Sequence, residues 1–377
     1  MTDDELQIPP ITPVAEGLPR PRWSVMIPAY NAARTIAETL QSVLAQAQAY
    51  DEMQIAVVDN VSTDETLAVA EQTIAAHGLT GRVEIHRNPS NLGMVGNFNA
   101  CLRLTRGELI HMLHADDFIR PGFYAATEAR MQQHPEAEIC AARVLTIDPH
   151  GELECITNRL ARTGELTVFD VAYENHLYPP GCVVRRAGYE RVGGYSNVIS
   201  YLPDWEMWTR LLEHRPGVFI NEPLACYRQN PGNATDYFSR TALDVRDMMR
   251  FGDVLARRVP NFSRDHWRGC IKRHAEWGMN KWRAAGDEAA FRANEEIWRQ
   301  LTSSAKKAGY FRKLRKALDP KRLRIALPAT PKIFGDGIAI ARELGRRFER
   351  SIRKFVRRRR NPAMRDAAGQ ADKQAVG

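Results

Sequence analysis

The sequence predicts an α/β fold, a mostly parallel sheet with flanking helices followed by a helical C-terminal region. Three observations predict it. From Trp23 onward short apolar runs alternate with longer helix-like stretches, each apolar run ends in polar residues, and after residue 238 the pattern is almost entirely helical. A chain of 377 residues, 44% of them apolar, can bury a full core, which excludes a disordered binder.

The elements follow in order. Residues 1–22 are expected as a flexible N-terminal tail. They start acidic, contain several prolines and lack the basic start and apolar stretch of a signal peptide. Strands are expected at 23–28 (WSVMIP), 54–58 (QIAVV), 82–87 (RVEIHR) and 108–113 (ELIHML), with helices near 34–47, 64–77 and 94–105. Asp64, in T-D-E-T, marks a helix start. Beyond about residue 138 the pattern loosens into short strands at 138–147, 152–157, 181–185 and 217–221, with a helix beginning at Asp204. The expected division is 23–235 as the main domain, with halves at 23–120 and 121–235. A helical extension over 236–318 and a basic amphipathic helix with a flexible tail over 319–377 complete it. Trp267, Trp277, Trp282 and Trp298 are the expected packing anchors of the extension.

Charge is concentrated at one end. The formal net charge is +8, and between Lys306 and Arg360 about twenty Lys and Arg face four acidic residues. Ala341, Leu344, Phe348, Ile352 and Phe355 recur at helical spacing, while Arg342, Arg346, Arg350 and Arg353 take the other face. Such a helix suits an anionic membrane surface, with a solvated basic helix packed on the domain as the alternative. Nucleic acid is not an expected partner, since no recognition motif accompanies the charge. The six cysteines form no C-x-x-C pair and are expected as buried reduced thiols. No apolar run reaches the length of a membrane span. The expected localisation is cytoplasmic, peripheral on the inner face of the membrane.

Ligands of open α/β sheets bind outside the carboxyl ends of the strands. Here those ends carry Tyr30 and Asn31, Asp59 and Asn60, Asn88 to Asn91, and His114 to Asp117, which points to a single cleft. Asp59 can accept from a base N–H or cap a turn. Adjacent Asp116 and Asp117 repel unless a cation or solvent separates them. Asp204 can serve as a base or cap its helix. No G-x-G-x-x-G or P-loop follows the first strand, which disfavours a dinucleotide-binding enzyme.

The ordered series WSVMIPAYN, VVDNVSTDET, NPSNLG, HADDF and DWEMWTRL resembles glycosyltransferase family 2 over residues 23 to about 230. The resemblance implies a GT-A type nucleotide-binding sheet and an inverting transfer of one sugar from a nucleoside diphosphate sugar. The implied acceptor is a hydroxyl of a glycan or lipid-linked molecule in surface polysaccharide synthesis. Residues 23–120 then form the donor half and 121–235 the acceptor half. Pro28, Tyr30, Asn31, Asp59, Asn91, Asp116 and Arg228 are implied in nucleotide-sugar binding, with Asp59 reading the base and Arg228 reaching the diphosphate. Asp116 and Asp117 are implied as ligands of a divalent cation, Mg²⁺ or Mn²⁺. Asp204 takes the place of the general base, and His114, Glu206 and Tyr178 are acceptor or support residues. Three positions depart from the family pattern. His114 replaces the usual first Asp of the D-x-D motif, Pro203 replaces a Glu, and Asn230 stands where His is frequent. The Q-x-x-R-W segment of processive synthases does not occur. The other function class considered is a non-catalytic protein of the same fold that binds nucleotide sugars or acts as a membrane-associated scaffold.

Overall fold

The chain enters its core before the first strand. The computed structural model describes residues 3–47, 53–157, 164–230 and 234–302. Leu6, the last residue of α1 (Asp3–Leu6), is 0% exposed, and Ile11 is buried with it. Ser196 Oγ donates to Leu6 O at 2.6 Å, Gly194 N–H to Pro9 O at 2.8 Å, and Arg186 Nη2 to Thr12 O at 2.8 Å. The expectation of a flexible tail over 1–22 is corrected for this stretch. Its prolines suit an extended strap, and its apolar side chains repay ordering by burial.

Four parallel strands form one half of the sheet: β1 (Trp23–Ala29), β2 (Met53–Asp59), β3 (Val83–Arg87) and β4 (Leu109–Met112), in the order β3-β2-β1-β4. Every residue of β1 and β2 is buried, as strands covered on both faces require. Side chains alternate between the two cores: Val25 and Ile27 enter one, Met26 the other. The first core packs against α2 (Ile36–Leu44), α3 (Thr66–Ala76) and α5 (Phe123–Gln133), and the second against α4 (Gly93–Leu104).

The second half is mixed. β5 (Phe118–Ile119), β6 (Ile139–Ile147), β7 (Leu153–Ile156), β8 (Glu165–Leu166), β9 (Cys182–Arg185) and β10 (Gly217–Arg228) continue the sheet. β9 lies antiparallel between β4 and β6. β10 runs parallel to β6 and antiparallel to β5. It outlasts the expected 217–221 because it resumes pairing beyond a bulge at Pro223, where no N–H is available for the ladder. α6 (Arg186–Val192) and α7 (Pro203–His214) follow the middle strands.

α8 (Ala234–Thr241), α9 (Leu243–Arg258), α10 (Arg264–Ala284) and α11 (Glu288–Thr302) make up the described part of the extension. It shares the domain core: Trp205 of α7 meets Phe251 at 5.4 Å and Trp267 at 5.5 Å, both edge-on. Trp267 and Trp282 are buried as expected, but Trp277 is 44% exposed. The thiols divide likewise: Cys101, Cys140, Cys182 and Cys226 are buried, whereas Cys155 is exposed on β7. No described helix is long and apolar enough to cross a membrane. The basic helix expected over 319–377 lies outside the described residues.

Candidate active site

The carboxyl ends of the parallel strands open into one cleft of about 1490 Å³. Pro28, Tyr30, Asn31, Asn91, His114, Asp116, Tyr178, Asp204 and Arg228 all line it. Asp59, Asp117 and Glu206 do not stand on its wall, and each has a different reason.

Asp59 ends β2 and is 0% exposed. Both its carboxylate oxygens accept from Ser62 N–H, at 3.1 and 3.2 Å, and Arg87 Nε lies 3.4 Å away. This is the turn role that competed with base reading. Asn31 sits at φ +50°, a conformation that Asn tolerates. Its side-chain oxygen accepts from Thr63 N–H at 2.8 Å, so the loops after β1 and β2 are tied together. Tyr30, held beside them, exposes half its surface to the cleft.

Asn60, which the sequence places only at a strand end beside the cleft, organises the third loop. Its Nδ2 donates to Asn91 Oδ1 at 2.8 Å, and its Oδ1 accepts from Leu92 N–H at 2.9 Å and Asn88 Nδ2 at 3.0 Å. Asn88 also donates to Asn97 Oδ1 at 2.9 Å. Asn91 therefore reaches the cleft wall as one member of an asparagine network. The repeated Asn at 60, 88, 91 and 97 was the signal in the sequence.

The acidic loop is set by two elements. β5 pairs with the end of β10, Phe118 beside Cys226, so Asp117 comes to lie beside Arg228. Arg228 N–H donates to Asp117 Oδ1 at 2.9 Å, and Arg228 Nε to Asp116 O at 3.2 Å. Across the loop, α2 contributes Thr39 Oγ1 to Asp117 O at 2.7 Å, and Thr35 Oγ1 donates to Ala115 O at 2.8 Å. The two threonines stand one helical turn apart on one face, a spacing legible in the sequence. Asn230 Nδ2 donates to Asp116 Oδ2 at 3.0 Å.

His114, Asp116 and Asp117 bring ligand atoms within 4.8 Å of one another. His114 Nδ1 lies 3.8 Å from Asp117 Oδ2, and its ring stacks on Phe98 at 5.0 Å. Burial holds the imidazole below its ordinary pKa, against the pull of Asp116. Burial, then the neighbouring Asp116 carboxylate, push Asp117 well above its ordinary value. Asp117 Oδ2 is buried without a hydrogen-bond partner. An unpartnered buried carboxylate oxygen facing a neutral imidazole and a second carboxylate is a donor set suited to a cation.

Arg228 is nearly buried and its guanidinium is spent on the protein. Besides Asp116 O, it donates to Asp148 O and Pro149 O, both at 3.3 Å, and pairs with Glu38. On the cleft wall, its guanidinium clamps the acidic loop.

Asp204 is the second residue of α7, after Pro203, with Leu202 in the cap position, so its side chain is not the helix cap. Asn175 Nδ2 donates to its Oδ2 at 2.9 Å. Burial raises its carboxyl from 3.8 to about 6, opposed by hydrogen bonds from the Trp205 backbone and Asn175. Glu206 is completely buried. Arg210 Nε lies 2.8 Å from its Oε1, and Arg258 Nη1 is 3.7 Å away. Arg210 in turn donates to Val192 O at 2.5 Å and to Gly194 O at 2.7 Å. Glu206 holds Arg210 against the loop at 192–194 and does not line the cleft. Tyr178 does meet it, its ring 5.4 Å from that of Tyr227.

Comparison with known proteins agrees with this frame. Residues 24–193 match the model described as Glycosyl transferase family 2. An uncharacterized protein of Mycobacterium tuberculosis is 30% identical over 61% of this chain and 74% of its own length. An uncharacterized glycosyltransferase of Haemophilus influenzae is 33% identical over 57% of this chain and 67% of its own. A putative glycosyltransferase of Bacillus subtilis, EpsE, is 27% identical over 51% of this chain and 67% of its own. The chain belongs to glycosyl transferase family 2 and is a glycosyltransferase.

Proposed function

We propose that the protein is an inverting glycosyltransferase that moves one sugar from a nucleoside diphosphate sugar to a hydroxyl of a glycan or lipid-linked acceptor in surface polysaccharide synthesis. The observation that carries this reading is a shared cleft: Asp204 and Asp116 line the same cavity, where burial pushes the Asp204 carboxyl up to about 6. A base poised near operating pH can take a proton and remain mostly ionised beforehand.

In the proposed step the acceptor oxygen bonds to the anomeric carbon while the bond from that carbon to the diphosphate oxygen breaks. The hydroxyl proton passes to Asp204, and the nucleoside diphosphate leaves with the electron pair. Asn175 holds the carboxylate by Oδ2. Asp116, supported by Asp117 and His114, would hold Mg²⁺ or Mn²⁺, whose charge would offset that of the leaving diphosphate. Tyr30, Asn31 and Asn91 would line the nucleotide end, on loops tied by the asparagine and Asx contacts.

Asp59 would act on the base only through the turn it fixes. Attachment to the inner face of the membrane through the basic segment over 341–360 is part of the same proposal. Replacing Arg357 to Arg360 by Gln should then abolish co-sedimentation with anionic vesicles.

The test is a thermal-shift screen of UDP, GDP and dTDP sugars with and without Mn²⁺, followed by product analysis. A ligand bound only by the folded state raises the melting temperature. A folded protein that binds no nucleotide sugar by calorimetry would sink the reading.

A further inference from the structure

The family match ends at Gly193, yet the cleft continues past it. Tyr201, Tyr237, Phe238, Met248 and His274 line the same cavity as Asp204. The last four come from α8, α9 and α10, so the helical extension builds one wall of the site.

This wall is aromatic and ordered. Tyr201 lies 5.6 Å from Phe238 and 6.0 Å from His274, and Tyr237 meets Phe238 edge-on at 5.4 Å. His274 continues the row to Trp277 at 5.3 Å. Tyr237 is nevertheless 60% exposed, a large apolar face that folding leaves open. The imidazole is fixed from behind: His274 Nε2 lies 2.9 Å from Oδ2 of Asp244, which is completely buried. Such a contact sets the ring's orientation. Thr235 and Asn175 add polar groups to the same cavity.

A pyranose ring has an apolar C–H face and an edge of hydroxyls. Open aromatic faces suit the first, and imidazole, hydroxyl and amide groups set among them suit the second. A hydrocarbon chain would cover those polar groups without replacing their hydrogen bonds, which is costly.

We infer that Tyr201, Tyr237, Phe238 and His274 form an acceptor subsite for a sugar ring, so that the acceptor enters as a saccharide end beside Asp204. This deepens the proposed function and rests on Asp204 lying at the acceptor hydroxyl. Acceptor choice then resides in the helical extension, and donor choice in the strand-end loops. Two relatives can therefore share the strand-end motifs and differ in acceptor through α8 to α10.

Saturation-transfer NMR on the full chain tests it, with methyl α- and β-pyranosides of glucose, galactose and mannose as probes and farnesyl phosphate as the lipid comparator. At least one glycoside should receive saturation from the wild type and from Asp204→Asn. Affinity should fall about tenfold in Tyr237→Ala, the scale of one lost aromatic contact. His274→Gln provides a second variant, and an unchanged thermal midpoint certifies each fold. Saturation of no glycoside, equal glycoside affinity in folded Tyr237→Ala, or Tyr237-dependent binding of farnesyl phosphate alone would overturn the inference. Failure of the Asp204 assignment would register separately, as sugar transfer retained by Asp204→Asn while the NMR contacts persist.

Discussion

The backbone N–H of Arg228 donates to Asp117 Oδ1 at 2.9 Å, across a sequence separation of 111 residues. One carboxylate oxygen is thereby committed to holding β10 against the acidic loop. The other, Oδ2, is buried beside Asp116 and His114 without a partner. The division explains why two adjacent aspartates differ. Asp116 stands on the cleft wall, and Asp117 braces it from behind.

Asp117→Asn keeps an oxygen for the Arg228 N–H and removes the charge. The fold should survive, with a thermal midpoint close to wild type in the absence of metal. Mn²⁺ affinity, read by metal titration of donor turnover and by calorimetry, should weaken about tenfold or more, as for other supporting groups of metal sites. Unchanged Mn²⁺ affinity would remove Asp117 from the cation site.

Asp204→Asn should lower transfer by about 10²–10⁴-fold while leaving donor affinity intact, because the base acts only on the acceptor proton. In the wild type, kcat/KM should fall about tenfold per pH unit below about 6 and level off above it. A profile flat through this region would count against Asp204 as the group that titrates.

The same carboxyl makes a stability prediction of defined sign. Its folded value, about 6, lies above the ordinary 3.8, so the folded state binds the proton more tightly than the unfolded chain. Stability from this group is therefore fully present below the ordinary value and is lost as pH rises through the folded one. Asp204→Asn should melt above the wild type near about pH 8, with the gap closing toward about pH 4. A gap independent of pH would mean that the substitution acts through packing.

Glu206→Ala should cost stability, not specificity. It leaves the buried Arg210 guanidinium without its carboxylate, a loss of about 3–5 kcal/mol for a buried pair broken on one side. Urea unfolding checks this. A normal midpoint with a raised acceptor KM would instead return Glu206 to the acceptor site.

Leu6→Ala tests the N-terminal strap. Truncating a fully buried leucine should cost about 2–5 kcal/mol in urea, whereas a side chain in a solvated tail would cost almost nothing.

The sequence by itself determined the parallel half of the sheet, since β1, β2, β3 and β4 each lie within a residue or two of the apolar runs that announced them. These strands are covered on both faces, so burial writes itself as a continuous apolar run. The loop residues at their ends were legible for the same reason: a strand end fixes where the next polar residues must stand. Pairings between distant segments were not legible, because hydrogen bonds between residues far apart leave no periodic trace. Only the tertiary structure turned Asp59 inward to Ser62, spent Arg228 on the acidic loop, withdrew Glu206 into an ion pair and anchored Leu6. It also brought Tyr237 and His274, more than thirty residues beyond Asp204, onto the cleft wall. Local pattern reports which face of an element is buried. Which partner covers that face is decided by the packing of the whole chain.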